Sequence, residues 1–277
     1  TLVPVLLLLL IAHSTRASPL SLELEQALRQ QVAQITRKGQ ALLGNEPIHQ
    51  PDFLVDAYER EGFKPLWTRP EQAQQLLAAI AASKTDGLRP QDYHQQALLV
   101  LGRRLAQQVN AATMAEYDIL LTDALLSLGH DKLYGKTDPK EVEGSWNLTN
   151  PRKETYVRPL LNALKEDRLV RMLPRLGPAQ TFYTELKEAL ATYQALADRG
   201  GWPKVPDGPV LKPGMRDLRV EGLRRRLLAT GELARLGDNP QLFDQGLANA
   251  VKSFQARHYL EADGIVGKTV LAALNVP

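Results

Sequence analysis

A short segment near the end of the chain carries side chains of the types that bind a sugar. An amide, a guanidinium, an imidazole, a phenol and a carboxylate lie close together in sequence, at Gln255, Arg257, His258, Tyr259 and Asp263. Aromatic faces pack against a pyranose ring, while amides and charged groups bind its polar substituents. The first four are therefore predicted to form the rim of a binding groove, with a solvated helix end as the alternative interpretation. Asp263 is a further candidate for binding, although shaping a turn is the favoured interpretation of this residue.

No residue of the chain is predicted to be catalytic. The 277 residues include no cysteine, so the chain has no thiol nucleophile and no disulfide. A serine nucleophile is not indicated either, because the sequence has no Gly-x-Ser-x-Gly motif. Ser127 and Ser145 lie near His130 in sequence, where polar side chains at a helix end explain them better than a catalytic triad. We expect the chain on its own to be inactive as an enzyme.

Metal and cofactor binding are not predicted. The histidines after residue 17 are scattered, and no His-Glu-x-x-His pattern places two of them on one helix face. They are His49, His94, His130 and His258. His130 with Asp131 could form a ligand and its orienting carboxylate, but a polar helix terminus is the favoured interpretation. Gly-rich loops that bind phosphates or dinucleotides are missing, so no nucleotide cofactor is expected.

The charge balance argues against nucleic acid as a partner. The chain has 34 basic and 31 acidic residues, a formal net charge of +3. The excess lies at the end, since ten basic and seven acidic residues follow residue 208. This distribution favours an anionic polymer as the partner of the last segment. The run Arg224-Arg225-Arg226 is predicted to be a solvated face, with a wall-facing or membrane-facing role as the alternative.

Composition and periodicity predict an all-α protein. The aromatic fraction is only 6%, and the abundant Leu, Ala, Gln and Arg favour helices over strands. A capping-box pattern at Thr113 and Glu116 opens a helix with an apolar stripe through Leu128, which is predicted to be central to a core. Trp67, Trp146 and Trp202 lie in irregular stretches and are predicted to seal loops onto a helical core rather than form a sugar platform.

A proline-rich stretch divides the chain. Residues 202–209 hold three prolines and a glycine, so they cannot continue a helix and are predicted to be a linker. The predicted domains are therefore residues 18–208, a helical scaffold, and residues 209–277, a small three-helix module. A turn at Asp263-Gly264 is expected between the second and third helices of that module.

The first 17 residues are predicted to be a secretory signal peptide with a truncated start. The chain begins at Thr1, an apolar run covers residues 2–12, and Thr15-Arg16-Ala17 places small residues at −3 and −1 of a cleavage site. An uncleaved membrane anchor and a buried helix are the alternatives. The protein is accordingly expected to be exported to the periplasm or cell envelope, with membrane contact only if this segment is not cleaved.

The last segment resembles the three-helix peptidoglycan-binding domain of cell-wall enzymes. The resemblance lies in residues 250–255, in Asp263-Gly264-Ile265-Val266-Gly267-Lys268-Thr269, and in Ala272 and Leu274. One departure is Phe243-Asp244-Gln245-Gly246, where an Asp-Gly-x-Phe-Gly turn is common in that domain. The resemblance implies peptidoglycan as the binding partner.

The preceding segment resembles the helical scaffold domain of large murein L,D-transpeptidases. The matching motifs are Pro65-Leu66-Trp67, Asp86-Gly87-Leu88-Arg89-Pro90 with Asp92-Tyr93-His94, Leu120-Leu121-Thr122-Asp123-Ala124, and Gly200-Gly201-Trp202-Pro203. In such enzymes a cysteine thiolate attacks a peptide stem between an L-centre and a D-centre, and the amine of a second stem resolves the thioester. The resemblance implies that this cysteine belongs to a catalytic domain in cis, which the present residues lack.

Two rival functions remain open at the level of sequence. A lytic transglycosylase or muramidase would use one glutamate as general acid, and Glu59, Glu61 and Glu154 are candidates by exposure alone. None of them lies in a pattern that raises a pKa or positions a partner. The second rival is a stand-alone peptidoglycan-binding protein without an attached enzyme.

Overall fold

The structure, a computed structural model, describes residues 18–37, 41–137 and 156–276. Over these residues it consists of eleven α-helices, short 3-10 turns and one small antiparallel hairpin of strands β1 (Leu42–Leu43) and β2 (Glu46–Pro47). The predicted all-α fold is confirmed. The predicted signal peptide, Trp146 and Glu154 lie outside the described residues.

The helices follow one another with short connections. They are α1 (Pro19–Arg37), α2 (Pro51–Arg60), α3 (Pro70–Ala82), α4 (Gln95–Gln107), α5 (Ala111–Tyr134), α6 (Val157–Lys165), α7 (Leu169–Met172), α8 (Thr181–Asp198), α9 (Arg219–Ala229), α10 (Gln245–Arg257) and α11 (Lys268–Leu274). Among the described residues, no helix has the length and apolar composition needed to cross a membrane.

The chain forms two compact units, Thr1–Lys187 and Glu188–Pro277, each with its own hydrophobic core. This division lies within α8, upstream of the boundary that the sequence places after residue 208. The difference arises because prolines end a helix without preventing the segment from packing. Val205 is 1% exposed, and its backbone N–H donates to Asn275 Oδ1 at 2.8 Å. The stretch predicted to be a linker is therefore part of the second unit.

Helix α5 is the centre of the first unit. Every residue from position 117 to position 129 is buried, as expected for a helix surrounded by others on all sides. It contacts α1, α2, α3, α4 and α6. The helix begins earlier than predicted, because the side chain of Asn110 caps it by accepting a hydrogen bond from the N–H of Thr113 at 2.8 Å.

A buried carboxylate on α5 fixes the loop that precedes α3. Asp118 Oδ1 accepts hydrogen bonds from the Tyr58 hydroxyl at 2.6 Å and the Leu66 N–H at 3.0 Å. Asp118 Oδ2 accepts from the Trp67 N–H at 3.1 Å, and the indole N–H of Trp67 donates to Thr122 Oγ1 at 3.0 Å. Trp67 is 2% exposed, so it seals this loop onto the helical core as predicted.

The pKa of Asp118 gives a prediction for the pH dependence of stability. Burial raises this pKa from 3.8 to about 6, although hydrogen bonds from Tyr58, Leu66 and Trp67 oppose the rise. From about pH 4 to pH 6 the unfolded chain has lost a proton that the folded chain still binds. The Asp118 contribution to the free energy of unfolding should therefore decrease as the pH rises through this window, by up to about 1.4 kcal/mol per pH unit.

Urea unfolding between pH 4 and pH 7, measured for the parent and for Asp118→Asn, tests this assignment. The variant should be less stable throughout, because an amide cannot accept all three hydrogen bonds. In the variant, the free energy of unfolding should also lack the decrease between pH 4 and pH 6 that the parent owes to the titration of Asp118. Parallel pH profiles for the two proteins would show that Asp118 does not titrate in this range.

The second unit contains the predicted three-helix module. Its core is formed by side chains of α9, α10 and α11, including Leu223, Phe254 and Leu274, each 0% exposed. The segments between helices meet in an antiparallel bridge, in which Leu211 and Val266 exchange backbone hydrogen bonds of 3.1 and 3.0 Å. Asp244 caps α10 by accepting from the Leu247 N–H at 2.8 Å.

The prediction of a solvated face for the basic run of α9 is wrong for two of its three residues. Arg224 and Arg226 are each 2% exposed, and only Arg225 is exposed, where it pairs with Glu221. Arg226 Nε donates to the carbonyl oxygen of Leu274 at 2.6 Å, at the end of α11. Terminal carbonyl groups of a helix lack partners within the helix, and the buried guanidinium supplies one.

Candidate functional site

The C-terminal end of α10 has an unusual backbone conformation. The N–H of Leu260 donates to the carbonyl oxygen of Gln255 at 2.8 Å, which closes the last turn of the helix. Tyr259 has φ +55°, in the left-handed region. Glycine is the usual residue at this position after a helix, because side chains with a β-carbon are strained there. Tyr259 is nevertheless 99% exposed, so packing of its ring does not explain the choice.

Two of the predicted binding residues build the following turn, as favoured for Asp263 but not for Gln255. Gln255 is 1% exposed, and its amide nitrogen donates to Asp263 Oδ1 at 2.7 Å and to the carbonyl oxygen of Ile265 at 3.1 Å. Its amide oxygen accepts from the N–H of Gly264 at 2.8 Å. The placement of Gln255 on an exposed rim is therefore wrong. Asp263 is exposed, but its Oδ1 also accepts from the Ile265 N–H at 2.8 Å, and these hydrogen bonds lower its pKa.

The other three predicted rim residues form one exposed surface, here called the α10-end surface: Arg257, His258 and Tyr259. The guanidinium of Arg257 pairs with Glu232. The ring of His258 lies 4.1 Å from that of Phe254, centroid to centroid, at an angle of 31°. Burial and the nearby Arg257 lower the pKa of His258, which favours the neutral imidazole. The surface thus offers two aromatic faces beside one cation.

A second cluster, which the sequence analysis missed, lies in the first unit. His49 follows β2, His94 precedes α4, and Asp123 lies in the middle of α5. Asp123 Oδ2 is 2.8 Å from His94 Nε2 and 3.2 Å from His49 Nδ1. One ligand atom from each residue lies within 4.8 Å of the other two, so this arrangement could hold a metal ion. These two histidines are therefore not scattered in the fold, contrary to the interpretation from sequence.

Further groups orient this cluster. Glu46 Oε2 is 2.9 Å from His94 Nδ1, and Asp123 Oδ1 accepts hydrogen bonds from the N–H groups of His49 at 3.1 Å and Gln50 at 2.8 Å. Burial alone would raise the pKa of Asp123, but the hydrogen bonds from His49 and His94 lower it to about 2. Burial likewise opposes protonation of His94, yet the hydrogen bonds to Asp123 and Glu46 raise its pKa.

The remaining candidates from sequence stay apart from this cluster. His130 Nδ1 is 3.1 Å from Asp131 Oδ1 near the end of α5, and Asp131 Oδ2 accepts from the Tyr93 hydroxyl at 2.8 Å. This geometry agrees with a polar helix terminus. Of the glutamates considered for a glycosidase, Glu59 is exposed and Glu61 pairs with Lys165.

The structure defines a helical protein with a small three-helix module in its second unit, and comparisons with known proteins place both parts in described families. A family model described as Scaffold domain matches residues 52–190, and a model for a peptidoglycan binding domain matches residues 217–274. The first match covers half of the chain, and the chain belongs to this scaffold-domain family. No curated protein matches the chain.

The second match identifies the partner and the location in general terms. A peptidoglycan-binding domain supports peptidoglycan as the partner and suggests a location in the cell envelope. The matched region contains α9, α10 and α11, and therefore also the α10-end surface. The two matches together support a role in targeting to the cell wall.

Proposed function

We propose that this chain is the scaffold and wall-targeting part of an L,D-transpeptidase, which cross-links peptidoglycan stem peptides. The support is the order of the two matched domains together with the motif resemblance of the first unit. The nucleophile of such an enzyme is a cysteine thiolate, and these 277 residues contain none. The catalytic domain is therefore proposed to act in cis from outside this sequence, in the periplasm, after export directed by residues 1–17.

The observation that carries the wall-targeting role is the strained, exposed tyrosine of the α10-end surface. A residue other than glycine in the left-handed region costs about 1–2 kcal/mol, and such strain is concentrated at functional sites. With no packing to offset the strain, the ring of Tyr259 is best explained by a ligand. A flat aromatic face beside His258 and Arg257 suits a sugar ring with anionic groups attached.

Replacing Tyr259 by glycine separates binding from stability. Tyr259→Gly should retain less protein on insoluble sacculi, because the exposed ring is lost. Its thermal stability should equal or exceed that of the parent, by about 0–1 kcal/mol, since glycine relieves the backbone strain but loses more entropy on folding. Co-sedimentation with purified sacculi and thermal unfolding measure the two effects on the same samples.

A matched control is Leu218→Ala, which removes another exposed apolar side chain of the second unit, 76% exposed, outside the α10-end surface. This variant should sediment with sacculi as the parent does. Binding by a single module is expected to be weak, and repeated sites on the polymer should contribute much of the retention. Equal sedimentation of Tyr259→Gly and the parent would show that Tyr259 does not take part in binding.

The enzyme part of the proposal is tested separately. Sequencing the gene beyond the codon for Pro277 should show a continued reading frame that encodes a cysteine-containing domain. A stop codon there would favour the stand-alone binding protein. Release of muropeptides from sacculi by the purified chain, abolished by a glutamate-to-glutamine change, would instead favour the glycosidase.

A further inference from the structure

The cluster of His49, His94 and Asp123 combines the donor types that bind transition-metal ions. Zinc sites with an open position commonly use three protein ligands drawn from imidazole nitrogens and carboxylate oxygens. A tetrahedral ion with bonds of about 2.1 Å separates its ligand atoms by about 3.4 Å. Asp123 Oδ2 already lies 2.8 and 3.2 Å from the two imidazole nitrogens. These two separations differ from the tetrahedral value by about 0.6 Å or less, and all three ligand atoms lie within 4.8 Å of one another.

The charges of the cluster also favour a cation. His94 is buried between two carboxylates, Glu46 at Nδ1 and Asp123 at Nε2. A neutral imidazole has only one N–H, so it cannot donate to both carboxylates at once. The imidazolium form satisfies both but leaves one excess negative charge among Glu46, His94 and Asp123. A divalent ion in place of the Nε2 proton balances the two carboxylates, which is favourable because His94 and Asp123 themselves are buried.

The surrounding groups have the arrangement that holds metal ligands in place. Glu46 accepts from Nδ1 of His94 and so directs Nε2 toward Asp123, as outer carboxylates do for histidine ligands. The N–H groups of His49 and Gln50 hold the Asp123 carboxylate: the first lies 3.1 Å from both oxygens and the second 2.8 Å from Oδ1, which fixes Oδ2 beside the two imidazoles. His94 itself has φ +55°, so its backbone is strained in the conformation that brings its ring here.

We propose that His49 Nδ1, His94 Nε2 and Asp123 Oδ2 bind a divalent transition-metal ion, with zinc the best match to the donor set. Glu46 acts as a positioning residue through His94. The side chain of His49 is 39% exposed, which gives solvent a route to the cluster and allows water as a fourth ligand. The ion would join the loop after β2, the start of α4 and the middle of α5, and so stabilise the first unit.

Titration of the metal-stripped whole chain with Zn²⁺ by calorimetry tests the proposal. The parent should bind one ion, and His49→Ala should bind it about 100-fold more weakly. This variant should still fold, because the backbone N–H of His49 keeps its bond to Asp123. Glu46→Gln retains an acceptor for His94 but loses the charge, and should weaken binding about 10-fold. Zn²⁺ should raise the melting temperature of the parent and not that of His49→Ala.

His130→Ala is the matched control, since His130 is a histidine of the same unit whose Nδ1 is paired with Asp131 instead. Its affinity for Zn²⁺ should equal that of the parent. Co²⁺ in place of Zn²⁺ should give the visible absorption of a four-coordinate site in the parent and in His130→Ala, but not in His49→Ala. No binding by the folded parent, or equal affinity of the parent and His49→Ala, would overturn the proposal and leave the cluster as a buried ion pair.

Discussion

Asp118→Ala is expected to lower the free energy of unfolding of the first unit by about 3–5 kcal/mol. The change removes the acceptor of three buried hydrogen bonds, from the Tyr58 hydroxyl and from the N–H groups of Leu66 and Trp67. Each donor left without a partner in the core costs about 1–3 kcal/mol. Urea unfolding followed by circular dichroism measures the loss, and hydrogen exchange should show the loop before α3 opening first.

The control for this change is Asp56→Ala. It removes an aspartate that pairs with Arg60 on the surface of α2, with about half of each side chain exposed. Exposed ion pairs of this kind contribute about 0.3–0.5 kcal/mol. A loss of similar size for the two variants would mean that the Asp118 network does not hold the loop. The comparison isolates burial and the number of hydrogen bonds, because the same side chain is removed in both cases.

The sequence predicts helices well where the information is local. Apolar spacing places α5 and the three helices of the second unit, because every third or fourth residue must face the core. The start of α5 was predicted too late, since Asn110 provides a cap as good as the Thr113 pattern. The burial of Asp118 and Asp123 could not be predicted in this way. Their partners on other elements lie 29 to 74 residues away in sequence, and spacing within one helix carries no information about them.

The candidate site shows the same division between local and distant information. The α10-end surface was found because its residues are neighbours in sequence. Gln255 was misplaced, because its partners are decided by how the chain folds back at Asp263, and a polar residue type alone does not indicate exposure. The pair of His49 and His94 was missed for the same reason. One signal was available: a carboxylate such as Asp123 inside an apolar helix must find partners, and histidines are suitable ones.

Gly264→Val is expected to unfold the C-terminal part of the second unit. Gly264 has φ +79°, a conformation that β-branched residues rarely adopt. An added Cβ would lie 3.1 Å from Lys252 Cε and 3.4 Å from the carbonyl oxygen of Ala248, so the Lys252 side chain would have to shift. The combined loss of about 2–3 kcal/mol should lower the melting temperature by about 10–20 °C in so small a unit. Hydrogen exchange in peptides from α10 and α11 localises the effect.

Two other glycines of the same unit separate the causes of this loss. Gly231 has φ +84° with no atom within 4 Å of an added Cβ, so Gly231→Val should show the backbone strain without the contact and lose less stability. Gly267 is the N-cap residue of α11, has φ −88° and has open space around it. Because serine is preferred at that position, Gly267→Ser should be neutral or stabilising. If Gly264→Val and Gly267→Ser had the same melting temperature, the turn between α10 and α11 would not require glycine. The stability of the module would then come from the packing of its helices.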